Sequence, residues 1–183
     1  LFSAPRAWWM LRYFGVERVS ILAGGFAGWQ RDELPLEQGD ANLPQSDFEV
    51  KVDPSLVKRL TDVLLVSHER TAQLVDARPA ARFNAEVDEP RAGLKRGHIP
   101  GALNVPWGDL VVNGELKTTD ELEAIFTRQC VNLQEPIIVS CGSGVTATVV
   151  ILALTTLGAN NVKLYDGSWS EWGARDDLPI EPA

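Results

Sequence analysis

A chain of 183 residues with 17 Lys and Arg against 25 Asp and Glu carries a net charge of -8. Such a surface repels phosphate backbones, so nucleic acid is not an expected partner. The longest apolar stretch, residues 145–157, is shorter than the roughly 20 residues that a bilayer span needs, so no membrane contact is expected. Two cysteines and two histidines without ligand spacing predict no metal, no cofactor and no disulfide, and free thiols favour a cytoplasmic location.

The first 40 residues resemble the last 40 at a constant offset. "FSAPRAWWMLRYFG" aligns with "VTATVVILALTTLG", which places Gly15 on Gly158, and the same offset places Trp29 on Trp172. Because one helix, one strand and one helix cannot enclose a core, the first copy is expected to need a missing N-terminal portion. The repeat predicts three parts: the C-terminal remnant of a first domain at 1–40, a linker at 41–56 and a complete second domain at 57–183.

The elements of the first copy follow from this alignment. They are a helix over "FSAPRAWWMLRYFG", a strand at "VSILAG" and a second helix. An apolar face around Trp8, Trp9 and Phe14 is expected to lie exposed unless the missing portion covers it. Residues 36–54 are rich in Gly, Pro, Asn and Asp, which predicts a linker that leads into a short edge strand.

The second copy alternates between helical and strand patterns. Apolar residues at helical spacing predict a helix over 55–69, and "AQLVDAR" follows as a short strand. "TTDELEAIFTRQC" predicts a helix capped by Thr119 or Asp120, and "PIIVSC" predicts a parallel strand buried on both faces. A buried helix over 146–157 is expected to end at Gly158, and a strand at "NVKLYD" and a short helix complete the chain. This alternation is typical of an α/β domain with a mainly parallel sheet.

One loop in this pattern has the features of a nucleophilic site. Cys141 comes directly after a predicted strand and just before a helix, where the helix dipole and the backbone N–H groups favour the thiolate. Gly142 and Gly144 allow the backbone to curl into a nest of N–H groups that can hold a thiolate, an oxyanion or a persulfide. The alternative is a structural cysteine that ends a core strand, but such a cysteine does not require the Gly-Ser-Gly sequence.

The residues after Cys141 distinguish between two chemistries. Cysteine phosphatases carry an arginine at the sixth position after the cysteine, where its guanidinium binds a phosphate dianion. The sixth residue after Cys141 is Ala147, and residues 137–150 contain no Lys or Arg. A neutral loop favours a reacting group that is singly charged or uncharged.

Several stretches together resemble the rhodanese superfamily, and within it the 3-mercaptopyruvate sulfurtransferases. "CGSGVTA" is similar to the active-site loop of these enzymes. "DARPAARF" with "GHIPGALNVPW" is similar to the signature near the start of a domain, and "YDGSWSEWGARDDLP" to the closing signature. The resemblance spans the whole chain and implies a rhodanese-like α/β fold, in which helices flank both faces of a mainly parallel central sheet.

The resemblance also implies a reaction and the residues that perform it. Cys141 is the implied nucleophile, which carries sulfur from 3-mercaptopyruvate as a persulfide and releases pyruvate. Ser143 is implied to assist proton handling, together with residues of the missing first domain. Arg82 and Arg91, nine positions apart, are implied to bind the carboxylate and the ketone of the donor, a task that suits a planar guanidinium. The loop residues implied to bind substrate are Gly142, Gly144, Val145 and Thr146.

The expected partners are a small sulfur donor and an acceptor, which is a thiol, thioredoxin or cyanide. Two alternatives remain open. The first is a sulfurtransferase that uses thiosulfate as donor, which the uncharged loop disfavours. The second is a non-catalytic rhodanese-type module that carries sulfur or binds partners. Outside the loop, His98 is expected to be structural, His68 to be a solvated helix residue, and Cys130 to be a core or half-buried helix residue.

Overall fold

The structure, a computed structural model, describes residues 1–40 and 43–182. Its central sheet contains strands β1 (Val57–Lys58), β2 (Gln73–Asp76), β3 (Leu103–Asn104), β6 (Ile137–Ser140) and β7 (Val162–Tyr165). The strand order is β1-β7-β6-β2-β3, and all neighbouring pairs are parallel. A separate antiparallel ribbon contains β4 (Val111–Val112) and β5 (Glu115–Leu116). The predicted mainly parallel sheet is confirmed.

Helices cover both faces of this sheet. They are α1 (Ala4–Tyr13), α2 (Gly25–Arg31), α3 (Leu60–Glu69), α4 (Ala80–Phe83), α5 (Thr119–Arg128), α6 (Ala147–Thr156) and α7 (Ser168–Trp172). In β6, Ile137 and Val139 pack in the cluster that contains α1, α5 and α6, whereas Ile138 packs with α3 and α7. This alternation confirms the predicted arrangement of helices on both faces. Within residues 1–40 and 43–182, these helices are too short or too polar to cross a bilayer.

The apolar composition of β6 and α6 explains their central position. β6 is buried along its whole length and pairs with β2 on one side and with β7 on the other. α6 contains no charged residue. The hydroxyl of its Thr155 donates to the Ile151 carbonyl at 2.8 Å, so this polar group is paired within the helix. The helix ends before Gly158, as predicted, and the φ of 84° at Gly158 is a left-handed conformation that glycine adopts without strain.

Helix α3 begins at Leu60 and not near Ser55, so the predicted start of this helix was wrong. The Asp53 carboxylate accepts the Ser55 N–H at 3.0 Å, which holds a short 3-10 turn at Pro54–Leu56. Val57 then pairs with Leu164 in the sheet. The residues before α3 are therefore held by the turn and by the edge strand, although their apolar spacing also fits a helix.

The N-terminal cap of α5 is Thr118, and not Thr119 or Asp120 as predicted. The Thr118 N–H donates to the Glu121 carboxylate at 3.0 Å, and the Glu121 N–H donates back to the Thr118 hydroxyl at 3.4 Å. This reciprocal pair is a capping box, in which the helix cap is the residue three positions before a glutamate. The helix itself lies where the sequence predicted it.

Residues 1–40 pack against the sheet domain and expose little of the apolar face that the sequence predicted. α1 lies against α6, and Trp8 and Trp9 are only 8% and 5% exposed in the same core cluster as β6. Phe14 is half-buried. The expectation of an exposed face was therefore wrong, because the outer side of the apolar helix α6 offers the two tryptophans a surface to bury against.

The strand expected at residues 19–24 is absent, and those residues form irregular chain and a turn. Their counterpart in the repeat, β7, has a neighbour on each side, whereas no strand of the described residues pairs with 19–24. The second expected helix is α2. The predicted linker at 41–56 leads into the edge strand β1, as expected, but its residues 41 and 42 lie outside the described residues, as does residue 183 at the predicted domain end.

Candidate active site

Cys141 lies at the C-terminal end of β6, in the loop that leads to α6, and is 1% exposed. The first residues of α7 hold its backbone from both sides. The Cys141 N–H donates to the Ser168 hydroxyl at 3.2 Å, and the Cys141 carbonyl accepts the Trp169 N–H at 2.9 Å. Ser168 in turn donates to the Tyr165 carbonyl at 2.8 Å. These bonds fix the cysteine at the end of the sheet where ligands bind in open α/β folds.

The loop after Cys141 presents unpaired backbone amides. Among the described residues, the N–H groups from 142 to 146 donate to no carbonyl and no side chain. They lie immediately before α6, whose helix dipole adds a partial positive charge at this end. Such a nest stabilises an anion without any charged side chain, in agreement with the neutral loop.

Gly144 gives this loop its turn and leaves no room for a side chain. Its φ is 76°, and a Cβ placed there would lie 2.5 Å from Asp166 Oδ1. Arg6, from α1, bridges Gly144 and Asp166. It donates to the Gly144 carbonyl at 3.2 Å and to Asp166 Oδ1 at 2.6 Å. The active-site loop is therefore braced by a residue near the start of the chain.

We expect Gly144→Ala to lower the free energy of unfolding by about 1–2 kcal/mol, since alanine is strained in the left-handed conformation. The clash with Asp166 would add to this cost and shift the loop. Urea unfolding of the variant gives the value. Gly108→Ala is the matched control, because a Cβ at Gly108 meets nothing within 4 Å and its φ is not in the left-handed region. Equal stability of the two variants would contradict the expectation.

A cavity of about 310 Å³ opens beside Cys141. It is lined by most of the residues that the sequence singled out, namely Arg82, Arg91, Cys141, Gly142, Ser143, Val145 and Thr146. Gly144 is the exception, because it shapes the loop but does not line the cavity. Phe2, Trp107 and Ser170 also line it, although no sequence pattern indicated these three residues. The structure thus brings a cysteine and two arginines from distant parts of the chain to one small cavity.

Both arginines of the cavity are held by specific partners. Arg82 donates through Nε to Glu89 Oε1 at 3.0 Å and through its terminal nitrogen to Glu89 Oε2. Arg91 donates to the Ser170 hydroxyl, which donates to the Gly142 carbonyl at 2.5 Å. A Cβ at Gly142 would lie 2.9 Å from an Arg82 nitrogen, so the guanidinium lies directly against the loop. Glycine at this position allows that close approach.

A buried ion network, which was not predicted from the sequence, lies behind Arg82. Arg78 is 0% exposed and donates to Asp76 at 2.7 Å, to Glu89 at 2.8 Å and to the Gly97 carbonyl at 2.8 Å. Burial alone would lower the pKa of Arg78, but the two carboxylates outweigh it and raise that pKa. Asp76 at the end of the buried strand β2 and Arg78 just after it were a visible signal, whereas nothing in the sequence marked Glu89.

The remaining histidines and the second cysteine lie outside the cavity. His98 is buried and stacks on Phe83 at 3.8 Å, with Nδ1 2.9 Å from the Phe83 carbonyl, which fits the structural role expected of it. His68 is exposed near the end of α3. Cys130 is also exposed, so its predicted burial was wrong: it takes a left-handed φ of 59° after α5 ends, and Val131 enters the core instead. Over the described ranges, no cluster of His, Cys, Asp and Glu could hold a metal ion.

Comparison with known proteins gives a consistent result. A 3-mercaptopyruvate sulfurtransferase of Escherichia coli (strain K12) is 72% identical over 182 residues, which cover 100% of this chain and 65% of that protein. A thiosulfate sulfurtransferase of Gallus gallus is 40% identical over 173 residues, covering 93% of this chain and 59% of that protein. The crystal structure of SseA, a 3-mercaptopyruvate sulfotransferase from Escherichia coli, aligns with this chain with a TM-score of 0.81 at 69% identity. The alignment covers 93% of this chain and 63% of SseA.

This chain therefore spans just under two thirds of the length of these relatives. The family model for the rhodanese-like domain matches residues 60–175, a range that contains the sheet from β2 to β7, Arg82, Arg91 and the Cys141 loop. The fold, the cysteine at the strand end and this match lead to one conclusion: the chain belongs to the rhodanese-like domain family.

Proposed function

We propose that this chain is a sulfurtransferase, which moves sulfur from 3-mercaptopyruvate to an acceptor through a persulfide on Cys141. The observation that carries the proposal is the cavity itself. It places the buried Cys141 beside two arginines and a loop that has unpaired amides but no charged side chain. The name of the Escherichia coli relative, 72% identical to this chain, supports the same donor.

In the first step of the proposed reaction, Arg82 and Arg91 hold the carboxylate and the ketone of the donor. The Cys141 thiolate attacks the donor sulfur, and an S–S bond forms as the carbon–sulfur bond breaks. The electron pair of the broken bond moves into the carbonyl group and gives the enolate of pyruvate. The proton of the donor thiol ends on that carbon, with Ser143 as the proposed relay, and leaves pyruvate and a Cys141 persulfide anion.

In the second step, an acceptor attacks the outer sulfur of the persulfide. The S–S bond breaks, and Cys141 regains the electron pair as a thiolate. A thiol acceptor such as thioredoxin leaves as a persulfide, and cyanide leaves as thiocyanate. The amides from 142 to 146 are proposed to stabilise the negative charge on sulfur in both steps, as preorganised dipoles do in oxyanion holes.

Ser170 is expected to matter for donor binding, because it connects Arg91 to the loop. We expect Ser170→Ala to raise KM for 3-mercaptopyruvate about threefold to tenfold with little change in kcat. The reason is that the variant loses one hydrogen bond that positions Arg91. Steady-state kinetics with cyanide as acceptor gives both constants, and a melting curve shows that the fold is retained. An unchanged KM would mean that Arg91 is positioned without Ser170.

Thiosulfate is the second candidate donor, since a thiosulfate sulfurtransferase of Gallus gallus is 40% identical to this chain. The two donors are compared by kcat/KM on the same preparation, with cyanide as acceptor. The proposal predicts that 3-mercaptopyruvate exceeds thiosulfate by at least about tenfold, the equivalent of 1.4 kcal/mol in the barrier. Equal or better use of thiosulfate would contradict it. Transfer from neither donor would favour the non-catalytic module.

The division of the chain and its location are also proposals. We propose that 1–40 belong to a preceding rhodanese-like domain and 57–183 to a second one, which the internal repeat and the match of the family model from residue 60 support. The missing N-terminal portion is the proposed partner that completes the site. The proposed cytoplasmic location rests on the free thiols of Cys130 and Cys141.

A further inference from the structure

Arg6 is the residue of α1 that reaches the active-site loop. Its Nη1 donates to the Gly144 carbonyl at 3.2 Å and to Asp166 Oδ1 at 2.6 Å, and its guanidinium lies 5.2 Å from the ring centre of the buried Trp9. Val145 lines the cavity, whereas Arg6 and Asp166 do not. Arg6 therefore contacts the loop from outside the cavity.

The contact with Arg6 fixes the direction of the peptide group between Gly144 and Val145. This peptide is trans and planar, so its C=O and N–H point in opposite directions. Because the Gly144 carbonyl is turned toward Arg6, the Val145 N–H is turned to the other side, where the cavity lies. Within residues 1–40 and 43–182 that N–H has no acceptor, so it is available to an anion in the cavity.

Two other carbonyls of the loop are held in the same way, but by the backbone of α7. The Cys141 carbonyl accepts the Trp169 N–H, and the Gly142 carbonyl accepts the Ser170 N–H, both at 2.9 Å. The Gly144 carbonyl is held by a side chain instead. Glycine adopts φ values of either sign, so the peptide that follows residue 144 can turn over more easily than its neighbours. Its observed direction thus depends on the arginine of α1.

We infer that Arg6 is a positioning residue for sulfur transfer, which keeps the Val145 N–H directed into the cavity beside Cys141. The inference deepens the function proposed above and rests on it. In a turned-over peptide, the Gly144 carbonyl would point its partial negative charge toward the sulfur, and the nest would lose one N–H. The thiolate and the persulfide anion would both be less stable, while the two arginines that hold the donor would keep their places.

Arg6→Met removes the donor to the Gly144 carbonyl and keeps most of the aliphatic stem over Trp9. We expect alkylation of Cys141 by the neutral reagent iodoacetamide at neutral pH to slow about tenfold, as for the loss of one hydrogen bond to a charged group. Mass spectrometry follows the peptide with Cys141, and the peptide with the exposed Cys130 reports general reactivity. Loss of a mere brace would expose the buried thiol and speed its alkylation, so an unchanged or faster rate would overturn the inference.

Two control variants separate the direction of the peptide from the loss of a charge. Arg12→Met removes another arginine of α1, which lies 4.8 Å from the ring centre of Trp8 and outside the cavity, and it should leave the rate unchanged. Arg6→Met with Asp166→Ala removes both charges of the ion pair, and it should be as slow as Arg6→Met. Equal slowing in Arg12→Met, or a normal rate in the double variant, would overturn the inference.

Steady-state kinetics distinguishes Arg6 from a residue that binds the donor. With 3-mercaptopyruvate and cyanide, we expect Arg6→Met to lower kcat about tenfold with little change in KM, the reverse of the pattern expected for Ser170→Ala. A rise in KM alone would overturn the inference. Because alkylation needs no donor, slow alkylation of Arg6→Met together with no sulfur transfer by the unchanged chain would contradict the proposed function and not the role of Arg6 in the loop.

A measurement on the unchanged chain covers the case in which Arg6→Met does not fold. NMR spectra of the ¹⁵N-labelled chain are recorded before and after inorganic polysulfide converts Cys141 to its persulfide. The Val145 amide proton should move downfield, since it would then donate to the persulfide anion. A Val145 signal that stays in place while Cys141 carries the extra sulfur would overturn the inference.

Discussion

Replacement of Cys141 by serine abolishes sulfur transfer, with an expected fall in kcat on the order of a thousandfold or more. A serine hydroxyl is not ionised at neutral pH and is a weak nucleophile toward sulfur, so the loop amides would have no thiolate to stabilise. The substitution is nearly isosteric, and Cys141 is buried at the end of β6, so the fold is expected to survive. The measurement is pyruvate release from 3-mercaptopyruvate in the presence of cyanide.

Cys130→Ser is the matched control for this variant. It removes the other thiol of the chain, which lies exposed after α5 and outside the cavity. It should retain the kcat of the unchanged chain. Pyruvate release by Cys141→Ser at a rate close to that of Cys130→Ser would rule out Cys141 as the nucleophile.

Replacement of Arg78 by methionine should lower the free energy of unfolding by about 3–5 kcal/mol, the range found when one partner of a buried ion pair is removed. Asp76 and Glu89 would remain as buried carboxylates without their shared cation, and the stacking of Arg78 on Trp169 at 4.4 Å would be lost. Urea unfolding of both proteins at neutral pH gives the difference, since both carboxylates are then charged in the unfolded chain.

Arg96→Met provides the comparison for a similar ion pair at the surface. Arg96 pairs with Asp88 at 2.7 Å, but both side chains are at least half exposed. Its loss should lower the free energy of unfolding by only a small fraction of the effect of Arg78→Met, because solvent screens an exposed pair. Similar losses for Arg78→Met and Arg96→Met would show that the buried network does not stabilise the fold in the way its geometry indicates.

Elements with a strong local pattern could be predicted from the sequence. The apolar run of β6, the uncharged helix α6 and its end before Gly158 all lie where their patterns indicate. Errors arose where tertiary contacts decided the outcome. The residues before α3 have helical spacing, yet they pair with β7 as an edge strand, and the segment at 19–24 has a strand pattern but no strand beside it.

The residues of the candidate site also divide into those that a local sequence pattern predicts and those that only spatial contacts reveal. The Cys141 loop is one contiguous stretch, so its chemistry could be predicted from the sequence itself. Arg82 and Arg91 were predicted only through the resemblance to a family. Glu89 and Ser170 escaped because their significance depends on which arginine they contact in space. A sequence pattern does not contain that information.

The central claim is that sulfur is carried covalently by Cys141. The full chain is mixed with 3-mercaptopyruvate without an acceptor, and its peptides are weighed under non-reducing conditions. We expect the peptide with Cys141 to gain the mass of one sulfur atom, the peptide with Cys130 to stay unchanged, and added cyanide to remove the extra sulfur as thiocyanate. Pyruvate release with no sulfur on Cys141, or with the sulfur on Cys130, would contradict the account.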